Sequence, residues 1–114
     1  MKSAIVYHWR HAYPGREMTS LALKQETDEL MSKFMASGAV TDYNWYLSAS
    51  GDMNYLVVCG EMDRLQTITT DPDVMFLTTR VGMVNDGFEW SFCATGPTVD
   101  AMTDLYAAAA ATMP

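Results

Sequence analysis

The sequence predicts an α+β domain, a four-stranded antiparallel sheet with helices on one face only. Three observations predict it. Hydrophobic spacing reads strand, helix, strand, strand, helix, strand once through about the first 95 residues and then stops. The second helical stretch is interrupted at Asp71-Pro72. Finally, 49% of the 114 residues are hydrophobic, with 3 Trp, 6 Tyr and 4 Phe, which is more apolar surface than a two-layer monomer hides. A second copy of the chain over the bare side of the sheet is the simplest resolution, so a homodimer is expected.

The first strand, Ser3 to Arg10, alternates Ile5, Tyr7 and Trp9 with Ala4, Val6, His8 and Arg10. Tyr13-Pro14-Gly15 ends it. A helix starts between Arg16 and Ser20 and runs to Ser37, with Leu23, Thr27, Leu30, Met31, Phe34 and Met35 as its apolar stripe and Gly38 as a left-handed stop. Val40 to Ser48 is an aromatic-rich second strand. Ala49 to Asn54 turns the chain into a third, Tyr55 to Gly60, whose unbroken Leu56-Val57-Val58-Cys59 predicts a central strand covered on both faces. Asp63 to Thr69 makes a short helix with Leu65 and Ile68 inward. Asp71 then caps a new one that has Pro72 at its first position and Val74, Leu77, Val81 and Val84 on one face. Asn85-Asp86-Gly87 leads into the fourth strand, Phe88 to Ala94. Residues 1–96 therefore form one domain. Residues 97–114 form a tail with a weak helical stripe (Val99, Met102, Leu105, Tyr106, Ala109) and an alanine run of high helix propensity.

Charge narrows the function classes. Fourteen acids against seven bases give a formal −7, and no basic stripe is present, so neither nucleic acid nor an anionic membrane is an expected partner. The N-terminus turns polar too soon for a signal peptide and no apolar run has transmembrane length, so a cytoplasmic location is expected. In strand order 4-1-3-2, Cys59 and Cys93 are kept apart by the first strand and remain free thiols in a reducing compartment. His8 and His11 lack companions at metal-ligand spacing, so no metal site is expected.

Strand parity places His8, Arg10, Glu89 and Ser91 on a common face. A His beside a Glu makes a general acid–base pair, because the carboxylate orients and charges the imidazole. Tyr55, with either Asp42, Asn44 and Tyr46 or Tyr43 and Trp45, adds donors or stacking surface. The plainer account of His8, Arg10 and Glu89 is a set of salt bridges at the dimer seam. Tyr7, Trp9, Trp45, Phe88, Trp90 and Phe92 read first as core. Ten methionines, among them Met18, Met31, Met35, Met62, Met75 and Met83, suggest an adaptable interior suited to a loosely shaped cavity.

The first strand Ala4–Arg10 leading through Pro14-Gly15-Arg16-Glu17 into a long helix, and the broken second helix with Asp71-Pro72-Asp73-Val74 before the last strand, resemble the dimeric α+β barrel superfamily of ferredoxin-like folds. That group includes antibiotic-biosynthesis monooxygenases, EthD-like and NIPSNAP-like proteins, muconolactone isomerases and IsdG-type haem-degrading enzymes. The resemblance spans about residues 3 to 95. It implies two sheets facing each other across a dimer axis, with a cavity between sheet and helices that holds a small, frequently aromatic, molecule. The Asn–Trp–His set of the haem-degrading enzymes does not map here, since Trp9, Trp45 and Trp90 all lie in predicted strands and no His follows the second helix.

The function expected from the resemblance is a small-molecule enzyme of the cofactor-free monooxygenase or isomerase type, acting on an apolar or aromatic substrate. His8 would transfer the proton, Glu89 would orient it, and Arg10 or Tyr55 would hold a developing oxyanion. Tyr55, Trp9, Trp45, Trp90 and Ser91 would bind the substrate. No cofactor is expected. The alternative is a non-catalytic dimeric module that binds a metabolite or a protein through the same cavity or the tail.

Overall fold

The computed structural model describes residues 1–114. Four strands, β1 (Lys2–Trp9), β2 (Asp42–Leu47), β3 (Asn54–Glu61) and β4 (Glu89–Ala94), form one antiparallel sheet in the order β2-β3-β1-β4. This is the order expected from the sequence. Between them run α1 (Glu17–Ser37), α2 (Met62–Thr69) and α3 (Pro72–Val84), and α4 (Pro97–Ala110) closes the chain.

Local chemistry sets the breaks. At the end of α1, Gly38 adopts φ 80° and its N–H donates to the Met35 carbonyl, the left-handed stop that a side chain would resist. Asp71 caps α3: its carboxylate accepts from the N–H groups of Asp73 (2.9 Å) and Val74 (3.3 Å), and Pro72 follows at the first helical position. Gly60 lets strand and helix end meet, since a β-carbon there would lie 2.9 Å from the Ala39 carbonyl oxygen.

One sheet face meets the helices. Ile5 and Tyr7 of β1 and Leu56 and Val58 of β3 pack under Met31 and Phe34 of α1 and under Leu65, Ile68 and Val74. A smaller cluster of Leu23, Leu77 and Val84 joins α1 to α3. Each fully buried side chain of this kind contributes roughly 1.5–3 kcal/mol. The core is nonetheless thin: 21 of 114 residues are buried, and Phe76, Trp90 and Phe92 remain on the surface.

The other face carries no helix across most of its width, although Ala4 on it is buried and the first turn of α4 lies beside Lys2 and Glu61. Pairing lines its residues up in rows across the four strands. One row is Tyr46, Tyr55, His8, Glu89; the next is Asn44, Val57, Val6, Ser91; the third is Asp42, Cys59, Ala4, Cys93. Both thiols are free.

Several expectations change. Strand β3 is interior to the sheet but covered on one side only, because Tyr55, Val57 and Cys59 are half-exposed while Leu56 and Val58 are buried. β2 begins at Asp42, since Val40 is drawn under the end of α1 instead of pairing. The methionines do not fill the interior. Met31 is the one buried methionine, while Met18, Met35, Met75 and Met83 are exposed. In the tail, α4 forms, but Val99, Met102, Leu105 and Tyr106 of its stripe point to solvent, and Thr98 is its one buried residue. No helix is long and apolar enough to cross a membrane.

Candidate functional site

A cavity of about 240 Å3 lies between the helix-facing side of the sheet and helices α1 and α3. Parity puts Tyr7 and Trp9 of β1 and Trp45 of β2 on that side. The Trp9 and Trp45 rings meet edge to face with centroids 5.9 Å apart. Leu23, Leu30 and Met31 of α1 and Val74 and Leu77 of α3 form the opposite wall. Phe88 stacks on Tyr7 at 6.2 Å and also lines the cavity.

Trp45 is held from α1. Its indole N–H donates to Asp28 Oδ1 (2.8 Å), the Tyr43 hydroxyl donates to the same oxygen (3.3 Å), and Lys24 Nζ donates to Asp28 Oδ2 (2.9 Å). The ammonium also lies 4.7 Å over the Trp45 ring. Partial burial opposes the charge on Asp28, but the hydrogen bonds from Lys24 and Trp45 outweigh it and hold the carboxyl below its ordinary value. Burial, then the Asp28 charge, pushes the Tyr43 phenol up.

Most polar groups lining the cavity are already bonded within the chain. Ser20 donates to Asn85 Oδ1 (2.9 Å), Asn85 Nδ2 donates to the Val81 carbonyl (3.1 Å), and the Thr27 hydroxyl donates to the Leu23 carbonyl (2.7 Å). The Asn54 amide bridges the Arg10 and Gly51 carbonyls.

The residues expected to form one site lie on opposite faces of the sheet. Trp9 and Trp45 line the cavity. Trp90 shares their face but sits outward on the edge strand, tilted against Tyr7 at 6.2 Å. His8, Glu89, Tyr55 and Ser91 occupy the open face. There His8 Nε2 lies 3.6 Å from Glu89 Oε2, and the His8 and Tyr55 rings are 6.2 Å apart. Arg10 joins neither group: it follows the strand end and pairs with Asp86 at 3.5 Å. No set of three or more His, Cys, Asp or Glu side chains is grouped to hold a metal. On the open face, burial and then the Asp42 charge push the Cys59 thiol up, which leaves it a poor nucleophile.

The residue that sequence reasoning missed is Tyr7, expected to be core. It is 6% exposed and lines the cavity. The signal was its position: Tyr7 alternates in register with Trp9, so one cavity aromatic implies the other.

Two solved structures share this architecture. Rv0793 from Mycobacterium tuberculosis superposes with a TM-score of 0.68 at 17% identity, covering 84% of this chain and 96% of that one. A protein from Chloroflexus aurantiacus J-10-fl, described as a candidate antibiotic biosynthesis monooxygenase, gives 0.57 at 12%, covering 84% and 95%. This chain has the ferredoxin-like α+β fold of these two structures. At these identities the likeness concerns the backbone of the ferredoxin-like unit. No protein-family model matches the sequence, and no curated protein matches it.

Proposed function

We propose that the chain binds a small aromatic or otherwise apolar molecule in the sheet–helix cavity and transforms it in the manner of a cofactor-free monooxygenase or isomerase. The observation that carries this reading is the cavity itself, walled by Trp9, Trp45 and Tyr7 and by aliphatic side chains of two helices. An apolar cavity of about 150 Å3 holds benzene. The 240 Å3 here suits one to two rings. The described likeness of the Chloroflexus protein to a monooxygenase points the same way.

His8 and Glu89 do not reach this cavity, so the proton transfer assigned to them does not fit a substrate held there. That observation favours a second reading, a binding module without chemistry. Within the first reading, the cavity supplies stacking surfaces and hydrogen-bond donors to a substrate bound in its neutral form. The open face we assign to a second copy of the chain. In that homodimer His8, Glu89 and Tyr55 lie at the seam.

Titration with a neutral bicyclic aromatic should shift the indole N–H resonances of Trp9 and Trp45, and Leu30→Phe, which narrows the cavity, should suppress the shift. Oxygen uptake or product formation with hydroxylated aromatics in cofactor-free buffer separates enzyme from binder. A chain that binds these molecules and leaves them unchanged is the module. An absence of binding removes both readings.

A further inference from the structure

Two polar groups of the cavity lack a partner within the chain, and they are neighbours on one strand. The Tyr7 hydroxyl belongs to a buried residue, 6% exposed, yet it makes no hydrogen bond within the chain. The Trp9 indole N–H makes none either. Neither atom is sealed in protein: the enclosed, unpartnered polar side-chain atoms are Ser3 Oγ and Arg80 Nε. Both groups therefore touch free space, and both residues line the cavity. Side chains two apart on a strand project from the same face, so the two residues stand on the cavity side of β1.

Everything else polar around the cavity is occupied. Asn54, Asn85, Ser20 and Thr27 bond to the chain, and Trp45 donates to Asp28. Lys24, the one cation of the lining, is engaged by Asp28 at 2.9 Å and by the Trp45 ring. A buried hydroxyl left without a partner is costly, and natural interiors rarely retain one. Here the partner must come from whatever fills the cavity.

We propose that Tyr7 and Trp9 form the polar anchor of the cavity, and that its ligand is a one- or two-ring aromatic presenting a neutral acceptor, a carbonyl or ether oxygen, to strand β1. The inference rests on the cavity reading above and adds the functional group the ligand must carry. Burial pushes the Tyr7 phenol up to about 12, so it remains a donor at neutral pH. An anionic ligand is disfavoured, because Lys24 is already neutralised and the chain carries a formal −7.

The experiment compares 1-tetralone with tetralin, two bicycles of nearly the same shape, one with a carbonyl and one without. Dissociation constants are measured for the wild-type protein and for Tyr7→Phe. Taking the ratio of ratios cancels the difference in hydrophobicity between the probes and isolates the pairing. The preference for tetralone should fall by about fivefold to tenfold in Tyr7→Phe, the scale of one neutral hydrogen bond. The Trp9 indole N–H resonance should move downfield with tetralone and not with tetralin. Equal preferences in both proteins overturn the anchor and leave the cavity standing. Failure of wild type to bind either probe overturns the cavity reading and this inference with it. Should Tyr7→Phe not fold, the infrared carbonyl band of tetralone bound to wild type decides. A band shifted to lower frequency supports the anchor, and a band at its apolar-solvent position overturns it.

Discussion

The two faces of the sheet are built from alternate residues of the same strands and have become different materials. Val58 is fully buried beneath α1 and α2, while Val57, the residue before it, is half-exposed. Tyr7 lies among aromatics in the cavity wall, while His8, next along the chain, stands beside a glutamate that is 75% exposed. The helix-covered face holds an apolar space with two idle donors, and the open face holds the His8–Glu89 pair. The lesson is that the His8–Glu89 pair and the cavity are separated by the thickness of one strand. Proximity in sequence is therefore a poor guide to which groups a ligand can meet.

The largest expected effect tests the burial contrast. Val58→Ala should cost roughly 2–3 kcal/mol in denaturant unfolding, the loss of two buried methyl groups plus a cavity. Val57→Ala should cost under about 1 kcal/mol at low protein concentration, where the open face is bare. A Val57→Ala cost that grows with concentration would show that a second copy covers this face.

Next is an alkaline effect confined to the cavity side. The Tyr7 phenol is raised in the folded chain to about 12, so unfolded chains ionise first as pH climbs through the ordinary 10. Tyr7 therefore contributes stability that is intact below pH 10 and is lost between about 10 and 12, amounting to roughly 2–3 kcal/mol. Tyr7→Phe should abolish that part of the alkaline slope, and an unchanged slope would place the phenol in water.

A smaller effect concerns the wall. Asp28→Ala should cost about 1–2 kcal/mol and loosen Trp45, seen as a broadened indole N–H resonance, because the indole and Tyr43 lose their acceptor. In wild type the carboxyl is held below its ordinary value. Its contribution is present above the ordinary carboxylate range and fades only as the pH falls below it.

The smallest belongs to the open face. His8→Ala should change stability by under about 1 kcal/mol, as an exposed ion pair would, and should leave tetralone binding in the cavity unaltered. A loss of cavity binding in His8→Ala would join the two faces into one site.

The sequence was most informative where one residue type answers one backbone demand. Gly38, Asp71 and Pro72 each mark a helix end found in the structure. Strand order followed from the sequence of elements. The site was less legible, for a physical reason. Period-2 alternation says which residues share a face and not which face the helices choose. Adjacent residues of one strand point to opposite faces, however, so alternation by itself forbids a pocket lined by both Trp90 and Ser91. The half-exposed state of Val57 and Cys59 was hidden because an apolar run reads the same whether its second cover is a helix or another molecule. Tyr7 was hidden because a core tyrosine and a cavity tyrosine have identical neighbours in sequence and differ only in whether the hydroxyl is paired.

The third row of the open face gives the molecule a record of its encounters. Cys59 and Cys93 both pair with Ala4, one from each side, so their backbones stand two strand spacings apart, about 10 Å. A disulfide closes only when the α-carbons come within about 7 Å. Oxidation therefore cannot bridge the two thiols of one folded chain. A covalent band at twice the monomer mass after exposure to air would mark two sheets that had met.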